Sequence, residues 1–189
     1  MRAVLLLLAL ACGAASADQL KAGTFDPPRV APEIALTASD GSAFKLANYR
    51  GKVVVLEFGY THCADVCPVS LASLAQARAL LKSAGAEVQV VFVTVDPARD
   101  SAATLRSYLA QFDPSFVGVS GTTAQVAAVL KAYGISATKK MVEGSRTEYT
   151  MHHSSYLYFI DRQGMQRALM PFGHPAADMA HDLTLLLKK

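Results

Sequence analysis

Cysteine is scarce in this sequence, with three in 189 residues. That is too few for a disulfide framework, so a hydrophobic core must stabilise the fold. Charge of one sign is scarce too. A formal net charge of +3 does not argue for nucleic acid or an anionic membrane as partner. No internal repeat and no low-complexity linker interrupts the chain, which points to one domain. Beyond the first residues no apolar run approaches the roughly 20 residues of a membrane-spanning helix, so a soluble mature domain without a transmembrane segment is expected. The methionines are scattered, with no Met-rich run, and read as core filling.

What is present begins with a targeting pattern. Met1-Arg2, an apolar run from Ala3 to Ala11 and Ala15-Ser16-Ala17 form a charged start, a short hydrophobic stretch and a cleavage signal. Residues 1–17 are expected to be a removed signal peptide, giving an exported, periplasmic protein. Cys12 loosely resembles a lipoprotein processing site, but cutting there would leave a very short signal. Residues 18–32, proline-containing and weakly patterned, read as an extended, partly mobile arm. Residues 33–189 read as the domain.

Within it, Ile34–Thr37 and Ala43–Leu46 flank Ser39-Asp40-Gly41-Ser42, a hairpin signal. Val53–Phe58 is an apolar run of a buried strand and Val69–Ser83 has helical periodicity. Val88–Val95 reads as a strand covered on both faces. Ser101–Phe112 reads as helix, Phe116–Ser120 as strand and Thr122–Tyr133 as helix. Residues 135–150 read as a long loop or irregular hairpin. Ser155–Ile160 and Met165–Met170 form a second hairpin, and Pro175–Leu187 is the closing helix. This order is that of a single α/β domain of thioredoxin-like type: a central mixed sheet flanked by helices, an N-terminal β-hairpin, and a long loop before the penultimate strand.

The chemistry concentrates in Gly59-Tyr60-Thr61-His62-Cys63-Ala64-Asp65-Val66-Cys67-Pro68. Two cysteines stand where a strand turns into a helix, and the free N–H groups of a helix start favour thiolate. Once residues 1–17 are gone they are the only cysteines. Three residues separate them, where a thioredoxin-type motif has two, so spacing alone leaves metal and redox readings open. Cys63, in the turn, is expected to be the more exposed and reactive thiol. A third ligand could come from His152-His153, just before the strand Ser155–Ile160, where thioredoxins place a cis-proline. No proline occurs between Pro114 and Pro171. Two thiolates and an imidazole suit copper, above all Cu(I). Successive side chains of an extended segment alternate, so one of the two histidines should be the ligand and the other face away.

Other candidates have ordinary readings. His62 could bind metal or lower the thiol pKa, but is poorly placed to chelate beside Cys63. His174 suits a helix start and His181 an exposed helix face. Asp96 would cap the following helix or support the metal site from behind the ligands. Lys139, Lys140 and Arg146 make the long loop basic, as a solvated loop or toward an acidic partner.

Taken together, Phe58-Gly59-Tyr60-Thr61-His62-Cys63 through Cys67-Pro68, Val95-Asp96-Pro97-Ala98-Arg99-Asp100, and Tyr149 to Ser154 leading to Tyr158-Phe159-Ile160-Asp161 resemble the Sco/SenC family of copper chaperones. The resemblance implies a thioredoxin-like fold and one copper ion, Cu(I) or Cu(II), held by Cys63, Cys67 and His153. It implies a role at the dinuclear copper centre of cytochrome c oxidase, as copper donor, as reductant of the target's cysteines, or both. Implied partners are the copper-centre subunit and other periplasmic copper chaperones or thiol reductants. Ala64 stands where the family often has proline, and His152 where aspartate is common. Many members keep a membrane anchor, whereas the cleavable signal expected here implies a soluble, exported form. Against this metallochaperone reading stands an exported thiol–disulfide oxidoreductase using Cys63 and Cys67. A peroxiredoxin-type peroxidase lacks its Pro-x-x-x-Thr/Ser-x-x-Cys pattern here.

Overall fold

In a computed structural model the described residues are 19–188. The expected signal peptide and Cys12 lie outside them. The strands and helices, in chain order, are β1 (Gly23–Val30), β2 (Ala35–Ala38), β3 (Ala43–Lys45), β4 (Val53–Gly59), α1 (Val66–Leu80), β5 (Val88–Thr94), α2 (Ala102–Leu109), β6 (Val117–Ser120), α3 (Thr123–Ala132), β7 (Ala137–Met141), β8 (Tyr149–His153), β9 (Tyr156–Ile160), β10 (Met165–Pro171) and α4 (Ala176–Leu187).

Eight strands form one mixed sheet in the order β1-β10-β9-β4-β5-β6-β2-β3. The centre, β4-β5-β6, is parallel, and β9 runs antiparallel to β4. Because side chains alternate across a strand, the apolar run of β4 feeds two cores. Val53 and Val55 join Phe92, Phe159, Leu71, Leu74, Leu105 and Leu183 under α1, α2 and α4. Val54, Leu56 and Phe58 join Val91, Val93, Tyr158, Ile34 and Val126 on the side of α3. A sheet covered on both faces favours apolar residues on both, which is why β4 and β5 read as almost continuous apolar runs.

Two segments differ from the sequence reading, and in a third, read as a long loop or irregular hairpin, the hairpin is what forms. The N-terminal arm is tied down. Residues 23–30 pair antiparallel with β10 as an edge strand, with a register shift between Thr24 and Arg29 that accommodates Pro27 and Pro28. Just before it, the backbone N–H groups of Lys21 and Ala22 donate to the buried Asp182 carboxylate at 2.7 and 2.9 Å. Helix α1 begins at Val66, earlier than the periodicity suggested. Its first turn therefore contains Cys67 and Pro68, and the missing proline N–H costs nothing there. The long polar stretch before β9 is an ordered hairpin. Strands β7 and β8 pair antiparallel as a separate two-stranded sheet, with Thr138 opposite His152 and Ala137 opposite His153.

Candidate metal centre

The end of β4 brings Gly59 and Tyr60 to the sheet edge, and the turn to α1 carries Cys63. Cys67 sits in the first turn of α1 and is buried, 1% exposed, while Cys63 is only half-buried. The helix start has no side-chain cap at Asp65. Instead the Cys67 N–H donates to Cys63 Sγ at 3.4 Å, so a sulfur serves one of the helix's unpartnered donors. The two thiols are electrostatically unlike. A hydrogen bond from the Cys67 thiol, with others from the helix-start backbone, holds Cys63 well below the usual thiol range, against the opposing effect of burial. The Cys67 thiol is pushed up, first by donating that proton, then by burial and by the charges of Glu57 and Cys63. The pair is best described as one shared proton with its charge on the outer sulfur.

His153 arrives from the last position of β8. Its Nε2 lies 3.8 Å from Cys67 Sγ. Its Nδ1 lies 3.0 Å from the Ser154 carbonyl oxygen. A carbonyl only accepts, so Nδ1 carries the proton and Nε2 presents its lone pair to the sulfurs. The Tyr60 ring meets the imidazole edge-on, with centroids 5.9 Å apart at 88°. His152 is exposed on the other face of β8, as alternation requires.

The donor set fits a soft ion. Metal–sulfur and metal–nitrogen bonds of about 2.3 and about 2.0 Å together exceed the 3.8 Å between Cys67 Sγ and His153 Nε2, so one ion can span the two atoms. Two sulfurs and one imidazole are the ligand types copper takes in preference to calcium or magnesium. Among the described residues no group of three or more His, Cys, Asp or Glu side chains is already closed into metal-holding geometry. Cys67 is in contact with both Cys63 and His153, so the three side chains are neighbours without forming a closed ligand set.

Other candidate residues are placed elsewhere. His62 is half exposed (side chain 52%), with Nδ1 3.1 Å from Thr61 Oγ1 and 4.0 Å from Asp100 Oδ1. His174 pairs with Asp178 at 3.4 Å and His181 with Asp182 at 3.0 Å. Asp96 does not cap α2. Ser101 does, accepting from the Thr104 N–H at 3.1 Å, because Asp96 is occupied with Arg99 and Tyr149.

Residues beyond the original candidates also belong to the site. Glu57 is buried under α1, and its Oε2 has no hydrogen-bond partner among the described residues. Burial pushes its carboxyl well above the usual range, against a Ser70 hydrogen bond and helped by the Cys63 charge. A charged residue inside a doubly covered apolar run was the available signal. Asp100, fully buried, accepts from the Thr61 N–H at 3.1 Å, the Thr61 hydroxyl at 2.7 Å and the Thr94 hydroxyl at 2.7 Å, and so holds the cysteine turn.

The family model SCO1/SenC matches residues 23–188. The structure of Bradyrhizobium japonicum ScoI with copper bound is 34% identical, with a TM-score of 0.77, over 84% of this chain and 99% of that one. A putative copper-binding protein of Stutzerimonas stutzeri is 30% identical over 96% of this chain and 90% of its own length. Mitochondrial SCO2 of Saccharomyces cerevisiae is 35% identical over 68% of this chain, which spans 43% of that longer protein.

Proposed function

The chain belongs to the SCO1/SenC family, and from that footing we propose that it is a copper-binding metallochaperone in which Cys63, Cys67 and His153 hold one copper ion. The observation that carries this reading is the approach of His153 Nε2 to within 3.8 Å of the buried Cys67 sulfur, across 86 positions of sequence. The oriented tautomer, with Nδ1 fixed on Ser154, is the arrangement of a ligating histidine. A half-exposed Cys63 leaves an approach path for ion or partner. Donors gathered but not closed suit a carrier that must release its cargo. The copper-loaded Bradyrhizobium relative supports the same ion. The recipient implied by the family resemblance is the dinuclear copper centre of cytochrome c oxidase, met after export to the periplasm.

The thiol asymmetry supports a second activity at the same residues, reduction of the recipient's disulfide. The Cys63 thiolate attacks one sulfur of the target disulfide, and the other leaves as a thiolate and takes up a proton. Cys67 then loses its proton and attacks Cys63 in the mixed disulfide. The target leaves as a dithiol, and Cys63–Cys67 becomes the disulfide. Two electrons pass from the chaperone to the target.

Titration of reduced and disulfide forms with Cu(I) and Cu(II) tests the metal reading. The reduced form should take one copper ion per chain and the oxidised form none, because a disulfide offers no thiolate. Equal uptake by both forms would overturn it.

A further inference from the structure

The turn that follows β5, Asp96-Pro97-Ala98-Arg99-Asp100, touches both halves of the site. Its last residue grips the cysteine turn, since both the N–H and the hydroxyl of Thr61, two residues before Cys63, donate to the Asp100 carboxylate. Its other charged residues grip the histidine strand. Arg99 Nη1 donates to the Tyr149 carbonyl at 3.1 Å, and its guanidinium carbon sits 3.7 Å from the Tyr149 ring centroid. Arg99 Nε donates to Asp96 Oδ2 at 2.5 Å, and the Tyr149 hydroxyl donates to Asp96 Oδ1 at 3.0 Å. Asp96, Arg99 and Tyr149 thus close a ring of contacts four residues before His153.

The hairpin that bears His153 needs such a hold. Strands β7 and β8 form their own two-stranded sheet, so no ladder of the main sheet fixes β8. An isolated pair of strands is marginal by itself. Tyr60 adds a second link, because its phenol receives a backbone hydrogen bond from Met151 and its ring meets His153. Arg99 reaches that ring as well, at 5.7 Å.

We infer that the Asp96–Asp100 turn is the positioning device of this site: through Asp100 it fixes the cysteine turn, and through Arg99 and Tyr149 it latches the β7–β8 hairpin so that His153 meets the two sulfurs. Its consequence for copper rests on the metallochaperone reading above; the placement of His153 does not. Arg99 and Tyr149 are positioning residues and touch no ion. Arg99 suits this task because a planar fork can bond a carbonyl and a carboxylate while stacking on a ring, which lysine cannot do.

The test uses Arg99→Met, Arg99→Lys and Tyr149→Phe, each read first in copper-free protein. Arg99→Met should speed amide hydrogen exchange across 150–153 by about tenfold or more and move the His153 ring signals, with β4 and β5 unchanged. Tyr149→Phe, which removes one hydroxyl, should do the same more weakly, and Arg99→Lys should fall between wild type and Arg99→Met. With Cu(I) loaded, loss to a chelator should accelerate in the same order, by about 10- to 100-fold for Arg99→Met. Wild-type exchange and ring signals in both Arg99→Met and Tyr149→Phe would overturn the latch, and so would faster exchange spread evenly over the main sheet. If Arg99→Met does not fold, Tyr149→Phe decides alone. A His153→Ala protein that releases copper at the wild-type rate would sink the metal reading instead, while the copper-free measurements still decide the latch.

Discussion

Gly59 and Cys67 lie against each other: a Cβ placed on Gly59 would stand 2.8 Å from Cys67 Sγ and 2.7 Å from the Phe92 ring. The last residue of β4 is therefore the floor on which the buried sulfur rests. Gly59→Ala should force the sulfur or the ring aside and destabilise the protein by about 1–3 kcal/mol. A lower urea midpoint, together with altered Cu(II) absorption bands from the displaced sulfur, is the expected result. Unchanged bands would show that Phe92 alone gives way.

The two adjacent histidines should separate cleanly. His153→Ala removes the nitrogen donor, so copper affinity should fall by at least about tenfold and nitrogen coupling should vanish from the Cu(II) electron paramagnetic resonance spectrum. His152→Ala, on the exposed face of β8, should keep both within about twofold. Loss of the coupling in the His152 variant would mean that the register of β8 differs in the loaded protein.

Glu57 gives stability a pH dependence of definite sign. Its native carboxyl titrates well above 4.5 because of burial, so the folded state holds this proton longer than the unfolded chain. The stabilisation is full below the unfolded value and is lost as pH rises toward the native one, at up to about 1.4 kcal/mol per pH unit. Glu57→Gln keeps the shape and removes the titration. Its urea midpoint should gain steadily on wild type as pH is raised from 4.5. A difference that stays constant with pH would mean that Glu57 ionises normally.

Cys63 is depressed by the Cys67 thiol hydrogen bond and those of the helix-start backbone, while Cys67 is buried and raised. Iodoacetamide should label Cys63 first. Its rate should hold nearly level between about pH 8 and about pH 6, where an ordinary thiol with a pKa of about 8.5 slows on the order of 100-fold. The depressed group contributes its full stabilisation above its unfolded pKa and loses it progressively as pH falls from there toward the native value. Mass mapping that found Cys67 modified first would contradict the shared-proton arrangement.

The sequence made most of this legible because a sheet buried on both faces writes itself as apolar runs, and β4 and β5 do so. The cysteine turn and the His152-His153 pair were readable from residue type and place, and alternation along an extended strand already sent the two rings to opposite faces. What escaped was set by partners distant in the chain. Residues 23–30 lack a strand pattern because one edge pairing, broken by a register shift, is all that orders them. The β7–β8 hairpin has little apolar alternation because it packs on few neighbours. Asp96 looked like a cap, since nothing nearby in sequence announces that Tyr149, 53 positions later, takes its carboxylate.

The clasp between the chain's first described residues and its last helix sets when the molecule can fold. Lys21 and Ala22 bond Asp182 across 161 and 160 positions, and β1 has no partner until β10 exists. Contacts of such long range must wait for nearly the whole polypeptide, so a chain emerging from its N-terminus cannot finish its edge early. The cysteines lead their imidazole by the same logic, with 86 positions between Cys67 and His153. A chain interrupted before β8 would carry bare thiols and no ring to meet them. The ability to take up copper as proposed thus comes late as the molecule is made, and only the closing of the edge by β10 and α4 comes later.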